Sequence, residues 1–238
     1  QGKKIKADRA FEHSKFQQVL DSFHNASFSD FSKYHYAAMI KFMFHFVCHG
    51  DNATHVFKSS LKQSSEYPWA LVCTLRWLKN VHEQHDCLLQ IMAGSMNPDY
   101  CVMLSLAVFL EEWIEQCQGR TSQWLFSDGT NIVTSPEEEL QKEVDWCKGG
   151  LYTQLKRIVK SETFIPDPAV ANSHNALANH STKKYATTHG RRRGVPKDFM
   201  DYRARWQSKR IQEAYTDTML PWLDIKAALV LCFGGIHK

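Results

Sequence analysis

From Asn97 to Gly119 the chain repeats apolar residues at intervals of three and four: Val102, Met103, Leu106, Leu110, Trp113, Ile114 and Cys117. That period marks a helix that buries a face. Asn97-Pro98-Asp99 offers a start, with Asn as cap and Pro in the first helical position, and Gly119 a stop. A helix this apolar must be covered, so the rest of the chain has to wrap it. The same period returns on both sides. Phe11, Phe16, Leu20 and Phe23 mark a first helix, and Ala37, Ile40, Lys41, Phe44 and Val47 a second, with the polar stretch His24 to Asp30 between them. Gly50 reads as the stop of the second, which leaves Cys48 and His49 in its last turn or just beyond. Ser135-Pro136-Glu137-Glu138, close to a capping box, opens a long amphipathic helix through Leu140, Val144, Cys147, Leu151, Leu155 and Ile158, across Gly149 and Gly150. Phe164 to Asn179 reads as a loop. Helices are then expected from about Ser181, from Pro196 after a Gly190–Gly194 break, around Tyr215 until Pro221, and from Asp224 to Cys232 before Gly234-Gly235.

One region alternates instead. Ala70 to Trp77 puts Leu71, Cys73 and Leu75 on one side and Val72, Thr74 and Arg76 on the other, and Leu88 to Ala93 is a second short apolar run. These read as strands joined by the polar stretch Lys79 to Asp86, with Lys79 at the turn. The expected fold is mainly α with a small antiparallel β-sheet (α+β). A chain of 238 residues can bury a substantial core, and residues 1–238 are read as a single domain in which 1–32 form an N-terminal helical extension.

Charge separates one part of the chain from the rest. The net charge of +4 is made of about −3 over residues 1–179, +8 between Lys183 and Arg210, and −1 beyond. In the positive stretch ten Lys or Arg (Lys183, Lys184, Arg191, Arg192, Arg193, Lys197, Arg203, Arg205, Lys209, Arg210) face two acids, and Tyr185, Phe199, Tyr202, Trp206 and Tyr215 are interleaved or follow. A local basic field with aromatics suits a polyanion, as on a surface that holds a phosphate backbone. The plainer alternative is a solvated basic loop. No apolar run is long enough to span a bilayer, and Gln1 to Arg9 is basic and polar, unlike a signal segment. Because the chain opens on Gln1, it is expected to be a fragment or processed form. Seven Cys without a CxxC, most among apolar neighbours, point to free thiols in a reducing, intracellular compartment. His45, Cys48 and His49 at helical spacing are a weak metal signal. A closed zinc site takes four ligands, so neither a metal nor any small-molecule cofactor is expected.

The motifs HSTK (His180 to Lys183), ARW (Trp206) and EAYTD (Tyr215), preceded by CHGDN (His49) and RWLKN (Lys79), resemble in order and spacing the catalytic domain of the tyrosine recombinases. The likeness is greatest to recombinase-like proteins of algal and protist mobile elements, and covers residues 33–233. That family's signature is a first Arg before the sheet, a Lys on the β-hairpin, His-x-x-Arg opening a helix, a later His or Trp, and a Tyr nucleophile. The resemblance implies that Tyr215 would attack a DNA phosphodiester, forming a 3′-phosphotyrosyl link and releasing a 5′-hydroxyl. A phenol with a pKa near 10 needs cations or a base to react. In the family two Arg clamp the phosphate oxygens in bidentate fashion, the Lys protonates the leaving oxygen, and the His and Trp positions, here His180 and Trp206, arrange hydrogen bonds around it. An N-terminal domain usually closes a clamp around DNA. Little of one is visible before residue 33.

Both Arg positions are substituted. Lys183 keeps the charge of the second and loses its fork. His49 replaces the first with a side chain whose reference pKa near 6.5 offers no permanent charge. Losing one preorganised donor to a transition-state oxyanion costs about 2.7–4 kcal/mol, or 10²–10³ in rate. Arg76, Lys184 or Arg191 are neighbours able to substitute. Three functions follow: a DNA-binding, transposon-derived nuclear domain with impaired catalysis, an active recombinase using Tyr215, or a structural subunit that keeps only the fold. A homo-oligomer on DNA fits the first two. Each residue also has a plainer role: Tyr215 as half-buried packing, Trp206 as core, His180 as a helix start, Lys79 as a hairpin surface charge.

Overall fold

A computed structural model describes residues 11–25, 29–75, 89–119, 122–127, 137–162, 164, 180–206 and 222–236. In chain order they form α1 (His13–Asn25), α2 (Asp30–His45), α3 (Gly50–Thr54), β1 (Leu61–Gln63), β2 (Ala70–Thr74), β3 (Leu89–Ala93), α4 (Val102–Cys117), α5 (Glu137–Val159), α6 (Ser181–Arg192), α7 (Lys197–Arg203) and α8 (Trp222–Val230). The mainly helical α+β expectation is met, with one antiparallel three-stranded sheet in the order β1-β2-β3. Among the described residues no helix is long and apolar enough to cross a membrane.

The core is built around α2, which packs on α1, α3, α4 and α6. From Ala37 to Cys48 every residue is buried, and the polar side chains among them are partnered, Lys41 donating to Ser105 Oγ at 2.7 Å and His45 bonding the sheet, as buried polar groups require. Ser29 caps its start by accepting the Ser32 N–H at 3.3 Å. The sequence stripes reappear as buried Phe16, Leu20 and Phe23 on α1, Val102, Leu106, Trp113 and Cys117 on α4, and Val144, Cys147, Leu151, Leu155 and Ile158 on α5. Ile114 departs from the expectation and is 68% exposed. Asn97-Pro98-Asp99 starts not α4 but a 3-10 turn, Pro98–Tyr100, in which the Asn97 side chain accepts the Asp99 N–H; Cys101 then caps α4.

Gly50 is not the stop of α2. The helix ends at His45 in a Schellman turn: Cys48 N–H donates to Met43 O at 3.0 Å and Val47 N–H to Phe44 O at 3.2 Å. Val47 takes the left-handed position that this motif usually gives to Gly, at φ 50°. A non-Gly residue there costs about 1–3 kcal/mol. Burying a Val side chain returns about 1.5–3 kcal/mol, and Val47 is fully buried, so packing holds the strain. Gly50 opens α3 and serves close approach to α5: a Cβ there would lie 2.5 Å from Tyr152 Oη. Lys148 of α5 clamps Asp51 of α3 at 2.5 Å.

β2 pairs with β3 from Ala70↔Ala93 to Thr74↔Leu89, and β1 pairs with β2 from Leu61↔Cys73 to Gln63↔Leu71. β3 is therefore an edge whose outward N–H and C=O groups need partners. Helices supply them. Asp224 of α8 accepts the Ile91 N–H at 2.5 Å, Arg203 of α7 donates to Ile91 O at 2.8 Å, and His45 Nε2 accepts the Ala93 N–H at 3.3 Å. Arg203 and Asp224, both fully buried, pair with each other at 2.5 Å. Arg203 also donates to His45 O from Nε at 3.0 Å and Nη2 at 2.8 Å. This ion pair takes the place of a fourth strand and fastens α2, α7 and α8 to the sheet.

Candidate functional site

Two helix ends and one helix start meet at the site. The Schellman turn closing α2 delivers Cys48 and His49. A second one closes α7: Trp206 N–H donates to Asp201 O and Arg205 N–H to Tyr202 O, each at 2.9 Å. Arg205 occupies its left-handed position at φ 54°, and Trp206 follows. The third contribution is the start of α6, where His180 and Lys183, one turn apart, project from the same side.

The His49 and His180 rings meet edge to face with centroids 4.6 Å apart. Lys183 Nζ lies 5.2 Å from the centroid of the Trp206 ring and 3.5 Å from the Ala204 carbonyl at the end of α7. Arg205 Nη1 donates to Leu75 O, just beyond β2, at 2.9 Å. Trp206 is 45% exposed, so the plainer reading of it as a core residue fails. His180 is exposed and His49 half-buried, so the cluster opens to solvent.

Electrostatics follow from burial. Lys183 is pulled from the ordinary lysine range down to about 8 by burial, with Cys48 opposing and the Arg205 cation adding to the shift. Cys48 is pushed up to about 11 by burial against the pull of Arg205, Lys183 and Arg203, which keeps it a thiol. His45 is held well below the usual histidine range by burial and by Arg203. That keeps it neutral, with Nε2 an acceptor for Ala93. Among the described residues no group of three or more His, Cys, Asp or Glu is placed to hold a metal ion.

Of the six residues expected to form a catalytic set, His49, His180, Lys183 and Trp206 come together. Lys79 and Tyr215 lie outside the described residues, as do Lys209, Arg210 and the neighbour Arg76. Of the expected phosphate-contacting residues, Arg191, Arg192, Arg193 and Lys197 are exposed at the end of α6 and the start of α7, and Lys184 is half-buried on α6. Arg191 donates to Val195 O at 2.7 Å, and Lys197 pairs with Asp201. Arg191 and Arg192 also stand in the last turn of α6, where cations are favoured by the helix dipole. Arg203 is a correction. Its guanidinium is fully buried and spent on Asp224, His45 O and Ile91 O, so it is part of the frame and not of a phosphate surface. A signal for this stands in the sequence: Asp224 in the apolar run WLDIKAALV requires a buried cation. Arg205, read only as a surface contact, lies within the cluster.

No family model matches the chain, and no curated protein matches it in sequence. Solved structures do match in shape. The XerH site-specific recombinase bound to difH substrate, in a pre-cleavage complex, aligns with a TM-score of 0.56 at 12% identity, over 90% of this chain and 54% of that one. The fold is tyrosine-recombinase-like. The XerH post-cleavage complex with palindromic difH aligns with a TM-score of 0.55 at 11% identity, over 94% of this chain and 54% of that one. This chain thus spans about half the length of the recombinases whose fold it shares.

Proposed function

We propose that this chain is a DNA-binding, tyrosine-recombinase-like domain derived from a mobile element, with strand cleavage impaired by the replacement of both clamp arginines. The observation that carries this reading is the convergence of His49, His180, Lys183 and Trp206 on one solvent-open cluster at the start of α6, with the exposed cations Arg191 to Arg193 at the other end of the same helix. In this reading a phosphate in the cluster meets the Lys183 ammonium, takes hydrogen bonds from the His49 and His180 imidazoles, and sets its sugar-phosphate chain against the Trp206 face. Lys183 attracts as a point charge and cannot bind in bidentate fashion. His49 adds hydrogen bonding without a fixed charge. Such a set holds a ground-state phosphodiester better than it stabilises a pentacovalent one, and that difference separates binding from cleavage. Double-stranded DNA is the partner, two or more copies meet on it, and the nucleus is the compartment such a partner implies.

Fluorescence anisotropy of a labelled duplex across salt concentrations tests the reading: affinity should fall steeply and linearly with log salt. A chain that fails to bind duplex DNA even at low salt refutes it. The second reading, an active recombinase, rests on Tyr215 standing at the family's nucleophile position. It predicts a covalent adduct on a nicked duplex, abolished by Tyr215→Phe.

A further inference from the structure

We propose that Arg205 supplies the bidentate phosphate grip of this site, holding one DNA phosphate jointly with Lys183. This rests on the DNA-binding reading above and assigns the grip to a position other than the two substituted ones.

Three independent observations lead to Arg205. The first is its backbone. Arg205 holds the left-handed position of the α7 Schellman turn at φ 54°, where glycine is the usual occupant. The equivalent turn at the end of α6 uses Gly194 at φ 86°. Val47, the other non-Gly case beside the site, is held by full burial, and Arg205 is only half-buried. Its strain is therefore not offset by packing alone, and strained residues of this kind gather at ligand-holding positions.

The second observation is orientation. Nη1 donates to Leu75 O at 2.9 Å, which fixes the guanidinium against the end of β2. A guanidinium carries five N–H donors in a planar fork, so this anchor orients the group and is compatible with an anionic acceptor as well. The third is proximity. The Arg205 charge acts on both Lys183 and Cys48, which come from different helix ends. Lys183 in turn touches the carbonyl of Ala204, the residue before Arg205. Two cations of one site, one a fork and one a point charge, repel each other when empty and are both relieved by a single phosphate between them. The other described arginines of the basic stretch do not offer this: Arg203 is consumed by the frame, and Arg191 to Arg193 stand exposed at the far end of α6.

The test is a double-variant cycle on duplex DNA affinity, with thermal unfolding measured in parallel. Arg205→Gly relieves the left-handed backbone while deleting the guanidinium and its bond to Leu75 O; these opposite effects are of similar size, so its unfolding midpoint should change little. Its affinity for a labelled duplex should drop about 10- to 100-fold, as expected for a charged hydrogen-bonding group. Lys183→Met should also bind more weakly, and the Arg205→Gly/Lys183→Met pair should lose less than the product of the two single losses, because both act on one phosphate. Arg205→Lys should restore only part of the affinity. Wild-type affinity and salt slope in Arg205→Gly, or single losses that multiply in the pair, would overturn the assignment while leaving the DNA-binding reading intact. No binding by the unsubstituted chain at low salt overturns both.

Discussion

Replacing Asp224 with Ala should be among the most damaging single changes in the chain, although it lies away from the site. Arg203 would keep its bonds to His45 O and Ile91 O, but its charge would remain fully buried with its counter-ion gone. Removing one partner of such a pair costs about 3–5 kcal/mol. The Ile91 N–H would also lose its acceptor, and an orphaned buried donor costs about 1–3 kcal/mol. The retained carbonyl bonds act the other way, so about 4 kcal/mol overall is expected. For a chain of this size each kcal/mol moves the midpoint by about 2–4 °C, so circular dichroism should show a fall of roughly 10 °C. Replacing both partners, Arg203→Met with Asp224→Leu, removes the buried charge as well and should be milder than Asp224→Ala alone. A loss below about 1 kcal/mol in Asp224→Ala, by the same standard for buried pairs, would show that the pair does not fasten α7 and α8 to the β3 edge. Weaker DNA binding at unchanged stability in Arg203→Ala would return that residue to the phosphate surface.

Other outcomes follow from the same geometry. Lys183 falls from 10.5 to about 8 in the folded chain, so its positive charge is lost as pH rises through that value; duplex affinity should weaken there in anisotropy titrations, and Lys183→Met should remove that inflection. Stability should move the opposite way, because the unfolded chain binds the proton more tightly between about 8 and 10.5, and Lys41, also drawn down to about 8 by burial, adds to the rise. Gly50→Ala drives a Cβ to 2.5 Å from Tyr152 Oη and should cost about 1–3 kcal/mol in urea unfolding, part of it recovered in combination with Tyr152→Phe. Arg192→Ala, on the exposed end of α6, should lower the log–log salt slope of DNA binding by about one without changing stability.

The helices were legible because burial writes a period into the sequence. Leu106, Trp113 and Cys117 on α4 and Leu151 and Leu155 on α5 are core residues where spacing puts them. The end of α2 was misread because the sequence offers Gly50 as a stop, whereas the left-handed residue is Val47, held there by packing that a linear pattern does not reveal. β1 was missed because three residues, LKQ, carry no alternation. At the site, the motif order alone brought out His49, His180, Lys183 and Trp206. The division of labour between Arg203 and Arg205 was not legible. They stand two positions apart across the end of α7, and where that helix stops decides which is buried in the frame and which enters the site.

The most direct test is a nicked duplex that traps any tyrosyl intermediate, incubated with the full chain and divided between a native and a denaturing gel. Binding without effective cleavage predicts a shifted complex in the native gel and no covalent adduct in the denaturing one. An adduct that disappears in Tyr215→Phe would contradict impaired catalysis, and no shifted complex at low salt would contradict DNA binding itself.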